Sequence, residues 1–213
     1  MPDIGRRLPI YLVLDTSGSM AGTAIEAVKQ GVAALLQELK GDPQAIETTY
    51  LSVITFASTA QQLAPLTELA QFQAPTLTAG GSTAFGAALT LVEECLEKEV
   101  RKASAGQKGD WKPLVFIMTD GQPTDHWEDA ANSLKQKRPG NLILCAAGED
   151  ADAQVLKAVG ENVVRLASTQ PGDLKAFFKW VSSSIKMTSK SVTQQGQAPV
   201  NLPPPPPQIQ IIP

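Results

Sequence analysis

Short apolar runs bounded by turn residues alternate along the chain with longer stretches of helical period. Ile10 to Leu14 is continuous rather than alternating, which predicts a strand buried on both faces. Ile25, Val28, Val32, Leu35, Leu36 and Leu39 then form one helical stripe, with Glu26, Lys29, Gln30 and Gln37 elsewhere and Gly41 with Pro43 marking the stop. Tyr50 to Phe56 predicts a second strand, and Gln61 to Leu66 a third, turned back through Ala57-Ser58-Thr59-Ala60 as an edge hairpin. A Gly-rich turn over Thr78 to Thr83 opens a long helix striped by Phe85, Ala88, Leu89, Val92, Cys95, Leu96 and Val100. After a polar loop come a strand at Leu114 to Met118 and a helix that Asp125 is placed to cap, with Glu128 three residues later and a stop at Pro139-Gly140. Strands at Leu142 to Ala146 and Val163 to Leu166 flank a short helix near Asp152 to Val159, and a last helix carries Leu174, Phe177, Phe178, Val181 and Ile185.

This alternation predicts an α/β fold: a Rossmann-like, doubly wound, mostly parallel six-stranded sheet with one antiparallel edge strand and helices on both faces. From Ser191 onward the chain has no charged residue and no helical period. We therefore expect one domain over residues 1–187 and an extended Pro-rich C-terminal tail over 188–213. Two readings of the tail stay open: a disordered terminus, or a partner-binding segment in which Pro203 to Pro207 is pre-extended and Ile209 and Ile211 add to a sheet edge.

Composition changes this picture little but removes several functions. At 213 residues and 43% hydrophobic, the chain can bury about two thirds of its unfolded surface without disulfides or structural metal. A net charge of -3 provides no broad basic field, so binding to nucleic acid or an anionic membrane is not expected. Cys95 and Cys145 lie far apart with no metal-ligand spacing, which suits a reducing compartment. Arg6 and Arg7 ahead of an apolar run look like the start of a signal peptide, but the run is short, contains Pro9 and ends at Asp15 without a small-residue cleavage site. No stretch approaches the ~20 apolar residues that span a bilayer. The expectation is a cytoplasmic protein without membrane insertion.

The chemistry should lie where ligands bind in such sheets, outside the carboxyl ends of the strands. Three polar loops fall there: Asp15-Thr16-Ser17-Gly18-Ser19, Thr83 after Gly80-Gly81-Ser82, and Asp120 directly after the Leu114 to Met118 strand. The candidate site residues are thus Asp15, Ser17, Ser19, Thr83 and Asp120. Two carboxylates and three hydroxyls are hard oxygen donors, which favour Mg2+ or Mn2+ over zinc or copper; Ca2+ would want more ligands. An anion at a helix N-terminus near Ser17-Gly18-Ser19 is a rival, opposed by the two aspartates. Without a cation, two close carboxylates should raise each other's pKa.

These residues resemble the metal-ion-dependent adhesion site of von Willebrand factor A domains: Asp15-x-Ser17-x-Ser19, a threonine after a glycine pair, and Thr-Asp-Gly after an apolar strand. The resemblance covers about Leu8 to Met187 and implies the von Willebrand A fold. More narrowly, Tyr50 to Phe56, Gly109 to Phe116, Thr119 to Asp125, Ala176 to Val181 and the Leu202 to Pro207 segment are similar to the bacterial TerY proteins of tellurite resistance. The family implies Ser17, Ser19 and Thr83 as hydroxyl ligands, and Asp15 and Asp120 as direct or water-bridged ones. It also implies a partner protein that supplies an acidic residue to the metal, and association with a serine/threonine kinase and a PP2C-type phosphatase. A scaffold or phosphorylation target in such a module is the role this suggests.

Three other readings compete. A serine hydrolase would need His126, the sole histidine, and the G-x-S-x-G elbow is absent. Neither GxxxxGK nor GxGxxG follows any strand. A metal-dependent hydrolase or phosphatase using the same cation stays open, although the loops at Asp15 to Gly22 and Asp120 to Asp125 lack the basic clamp that phosphoryl transfer uses. We therefore expect no enzymatic activity. Trp180 falls in an apolar stripe, and Trp127 either packs against the adjacent strand or rims the metal face.

Overall fold

The computed structural model describes residues 5–106, 108–195 and 202–213. The first strand, β1 (Leu8–Asp15), is buried along its whole length. A 3-10 turn at Gly18–Met20 and α1 (Thr23–Lys40) follow, then α2 (Pro43–Thr48), β2 (Thr49–Phe56), β3 (Ala60–Glu68) and α3 (Phe85–Glu99). The second half carries β4 (Leu114–Thr119), α4 (Glu128–Lys137), β5 (Asn141–Ala147), α5 (Ala153–Val159), β6 (Asn162–Leu166), α6 (Pro171–Gln195) and β7 (Ile209–Ile212).

The strands form one sheet in the order β3-β2-β1-β4-β5-β6-β7. β1 pairs in parallel with both β2 and β4, and β4-β5 and β5-β6 are also parallel. The chain winds outward from β1 in one direction, then returns to start at β4 in the other. The β1/β4 junction is therefore the place where connections diverge and leave a crevice. The register Leu14↔Met118 sets Asp15 beside Thr119 there, one residue before Asp120.

Strand pleating divides the core in two. Leu8, Ile10, Leu12 and Leu14 of β1 point to one side, where residues of α1 and α6 cover them. Tyr11 and Val13 point to the other, against α3 and residues of α4 and α5. The continuous apolar run in β1 is what a strand covered on both faces requires. At the opposite end of the sheet from the β1/β4 crevice, the buried Arg7 guanidinium donates to both Asp110 carboxylate oxygens, and Asp110 also accepts from the Arg101 N–H at 2.8 Å.

The sheet differs from expectation in having seven strands with two antiparallel edge pairings, because β7 runs antiparallel on β6 as β3 does on β2. The tail is drawn in by its own apolar positions: Ile209 is buried, Leu202 packs on the core, and Trp180 Nε1 donates to the Pro203 carbonyl at 2.9 Å. Residues 196–201, part of the expected tail, lie outside the described residues.

The boundary expected after Met187 falls inside α6, which continues to Gln195. Hydrophobic period is a weak guide there because between Ile185 and Val192, both in the core, α6 buries hydroxyls. Ser182, Ser184, Thr188 and Ser189 are all buried; Ser184 and Thr188 bond back to carbonyls one turn earlier, Ser182 donates to Glu38 and Ser189 meets Thr48 at 2.7 Å. Asp125 departs from expectation too, since the N-cap position of α4 is Trp127 and the Asp125 carboxylate is used elsewhere.

Truncating Asp110 leaves the buried Arg7 charge without its carboxylate, which costs about 3–5 kcal/mol in comparable pairs. Asp110→Ala is expected to lower the urea midpoint by that stability with an unchanged denaturant slope, read by circular dichroism.

Candidate metal centre

All five candidate residues come together at the carboxyl ends of β1 and β4. Asp15 ends β1 and is fully buried. Its Oδ1 accepts the Ser17 N–H at 2.8 Å and its Oδ2 accepts the Thr119 hydroxyl at 2.6 Å. The Ser17 and Ser19 hydroxyls lie 3.0 Å apart, and Ser19 Oγ donates to Asp120 Oδ1 at 2.8 Å. Thr83 stands just ahead of α3, and a Cβ built on Gly121 would lie 3.6 Å from its Oγ1. Ser17, Thr83 and Asp120 are buried while Ser19 is exposed, so the cluster opens to solvent on the Ser19 side.

The loops are fastened to one another by backbone. The Thr16 N–H donates to the Phe56 carbonyl at 2.9 Å, and the Gly80 N–H to the Thr16 carbonyl at 2.8 Å. The Gly18 N–H reaches the Gly81 carbonyl at 2.9 Å, joining the serine loop to the glycine turn. Gly81 has φ 83°, and a Cβ there would meet Ser58 Oγ at 2.4 Å, so this turn needs glycine on both counts. A groove of about 260 Å3 beside Thr16, lined by Thr55, Thr59, Gln61, Thr76 and Thr78, adds an uncharged polar flank.

Electrostatics set the character of the cluster. Burial pushes the Asp15 carboxyl above the usual carboxylate range, although Ser17 and Thr119 donate to it. Burial likewise raises Asp120, opposed by the Ser19 hydroxyl and reinforced by the nearby charges of Asp15 and Asp150. Among the described residues no ion pair reaches either aspartate. Arg165, the base at the end of β6, donates instead to the Gly148 and Ala151 carbonyls. Two desolvated carboxylates with hydroxyl donors and no protein cation form a pocket of negative potential, and an all-oxygen set of this kind suits a hard divalent cation. No group of three or more His, Cys, Asp or Glu side chains is placed to hold a metal among the described residues. Any ion here would depend on the hydroxyls.

His126 is exposed, and the hydrogen bonds of Ser17 and Ser19 go to each other and to Asp120. A serine triad has no footing. Trp127 is partly buried against the core on the α3 side of the sheet. Three residues matter more than the sequence indicated. Thr119 holds Asp15, Thr124 holds the backbone of Thr83, and Asp125 caps α3 through the Gly86 and Ala87 N–H groups, both at 2.9 Å. Thr119 is visible in the sequence as the threonine of Thr-Asp-Gly and Asp125 as a cap of the wrong helix, while Thr124 has no signal beyond the polar run Thr119 to Asp125.

Comparison with known proteins places the fold in a family. The human inter-alpha-trypsin inhibitor heavy chain H6 is 25% identical over 162 residues, covering 70% of this chain and 12% of that protein. A von Willebrand factor type A structure from Catenulispora acidiphila superposes with a TM-score of 0.62 at 18% identity, covering 85% of this chain and 43% of that one. Proximal thread matrix protein 1 from the mussel byssus, with zinc occupying its MIDAS motif, superposes at 0.58 and 19% identity, covering 89% and 47%. The chain thus spans less than half the length of each of these relatives. The von Willebrand factor type A domain family itself matches residues 10–180, most of the chain, and the protein belongs to that family.

Proposed function

We propose that this protein is a metal-dependent interaction domain whose Asp15, Ser17, Ser19, Thr83 and Asp120 hold a divalent cation. The observation that carries this reading is the convergence on one solvent-open point of three hydroxyls and two buried carboxylates that no described lysine or arginine pairs with. The bound ion would supply a Lewis-acidic position for a carboxylate from a protein partner. Zinc in the mussel relative's motif supports a divalent ion. The absence of sulfur and imidazole here leads us to Mg2+ in the cell, with Mn2+ or Ca2+ as substitutes.

The similarity to TerY proteins supports a finer reading: an adaptor or scaffold in a bacterial, tellurite-resistance-associated phosphorylation module with a serine/threonine kinase and a PP2C-type phosphatase. A cytoplasmic site of action follows from the same reading, and no described helix is long and apolar enough to cross a membrane. We read the domain as non-enzymatic, because the stretches 15–22, 78–84 and 120–127 contain no lysine or arginine to clamp a phosphoryl group. The residues up to about 187 with the extension to 213 then act as one interaction unit.

Affinity capture with Mg2+, with chelator, and with an Asp15→Ala/Asp120→Ala variant tests the reading. The kinase or phosphatase is expected on the wild type with Mg2+ only; equal retention under all three conditions would move binding to another surface.

The raised carboxyls also make a stability prediction. A folded-state pKa above the unfolded one means that stability is highest where the group is protonated and falls as pH rises through the folded value. In chelator, Asp120→Asn removes one such group while keeping an acceptor for Ser19. Its urea midpoint is expected to gain on the wild type's between pH 4.5 and pH 7.5, and addition of Mg2+ should stabilise the wild type and not the variant.

A further inference from the structure

Thr83 and Asp120 approach the cluster from different elements, and something must hold them in register. The connection is a short bridge built by Thr124 and Asp125. The Thr83 N–H donates to Thr124 Oγ1 at 3.0 Å, and the Thr124 N–H donates back to the Thr83 carbonyl at 2.9 Å. Asp125 follows with both carboxylate oxygens, Oδ1 accepting from the Gly86 N–H and Oδ2 from the Ala87 N–H, each at 2.9 Å. These are first-turn N–H groups of α3, whose N-cap position is Ala84, a residue with no side chain to accept them. The approach is close. A Cβ on Gly86 would lie 2.0 Å from the His126 carbonyl oxygen, so the α3 N-terminus and the loop after β4 touch backbone to backbone.

Four hydrogen bonds and one glycine contact therefore tie the segment bearing Thr83 to the segment bearing Asp120. On the β2 side the neighbours of Thr83 are held by three bonds, the Ala84 N–H to the Ala57 carbonyl at 2.7 Å and the Ser82 N–H and hydroxyl to Ser58 Oγ at 3.1 and 3.3 Å, none of which reaches Thr83 itself. A carboxylate that accepts two backbone N–H groups makes charge-assisted bonds, stronger than the neutral ones around it.

We propose that Thr124 and Asp125 are positioning residues that set the distance of Thr83 from Asp120, so that removing their bridge weakens cation binding without touching a ligand. This rests on the reading of the five residues as a metal site. Residues that orient ligands from behind typically contribute about 10–100-fold to metal affinity. Asp125→Asn keeps one acceptor and turns an amide N–H toward a donor, so one of the two bonds is lost and its backbone N–H is left facing another donor.

The test is a calorimetric Mn2+ titration of the full chain, well below its melting temperature, on wild type, Asp125→Asn, Thr124→Val, Thr83→Ala and the Asp125→Asn/Thr83→Ala double variant. Asp125→Asn and Thr124→Val are expected to weaken Mn2+ binding at least tenfold, with no further loss when Asp125→Asn is added to Thr83→Ala. A helix cap with no role at the site would lower the melting temperature and leave the dissociation constant unchanged. That result, or additive losses in the double variant, would overturn the proposal. Thr124→Val, which deletes one acceptor, carries the test should Asp125→Asn not fold. Absence of Mn2+ binding by the wild type would remove the metal reading and this inference together; wild-type binding matched by both bridge variants would remove this inference alone.

Discussion

Two aspartates side by side at the ends of adjacent parallel strands, both desolvated and neither paired with a base among the described residues, are the constraint around which this end of the molecule is built. Leaving both ionised in such a place is costly, and the chain meets the cost with hydroxyls rather than with lysine or arginine. Thr119, Ser17 and Ser19 each donate or relay a hydrogen bond into the pair, so the carboxylates are oriented while their charge is left uncompensated. A cluster that is rigid and electronegative, and open on the Ser19 side, is well suited to a cation that must also be shared with a partner.

The fold makes that placement inexpensive. Because the winding reverses at β1 and β4, no connection crosses between their carboxyl ends, and the loops after them can turn toward each other. The apolar cores on both faces of the sheet keep β1 and β4 fixed in register along their length. At the other end, the Arg7-Asp110 pair ties β1 to the approach of β4. Strand register is thus turned into side-chain distance: fixing Leu14 opposite Met118 delivers Asp15 next to Thr119 and, one residue on, Asp120.

The last quarter of the chain follows a different logic. α6 is amphipathic first through Leu174, Phe177, Phe178 and Val181, then through buried serines and threonines that satisfy themselves on the preceding turn or on α1 and α2. A Cβ at Gly31 of α1 would lie 2.1 Å from the Phe178 ring, so the packing of α6 on α1 needs glycine there. Beyond α6, the proline run leaves few donors of its own, so Trp180 and the β6 edge supply the bonds that seat it.

The local pattern of the chain was enough to predict most of the elements and to single out the five polar residues that the fold brings together. Continuous apolar runs identify doubly covered strands, 3.6-residue stripes identify helices, and Asp-x-Ser-x-Ser and Thr-Asp-Gly are polar insertions where apolar runs stop. These are short-range signals, legible because burial and period are set within a few residues. Only the tertiary structure decided which helix Asp125 caps, that Ile209–Ile212 is a seventh strand and that α6 outlasts its hydrophobic stripe. For Asp125 and β7 the deciding partner is far away in the chain, and for α6 it is so in part, through Glu38 and Thr48. A carboxylate goes to whichever unsatisfied N–H groups are brought near it, a strand needs an edge to join, and a buried hydroxyl is tolerated only where another segment or the preceding turn accepts its hydrogen bond.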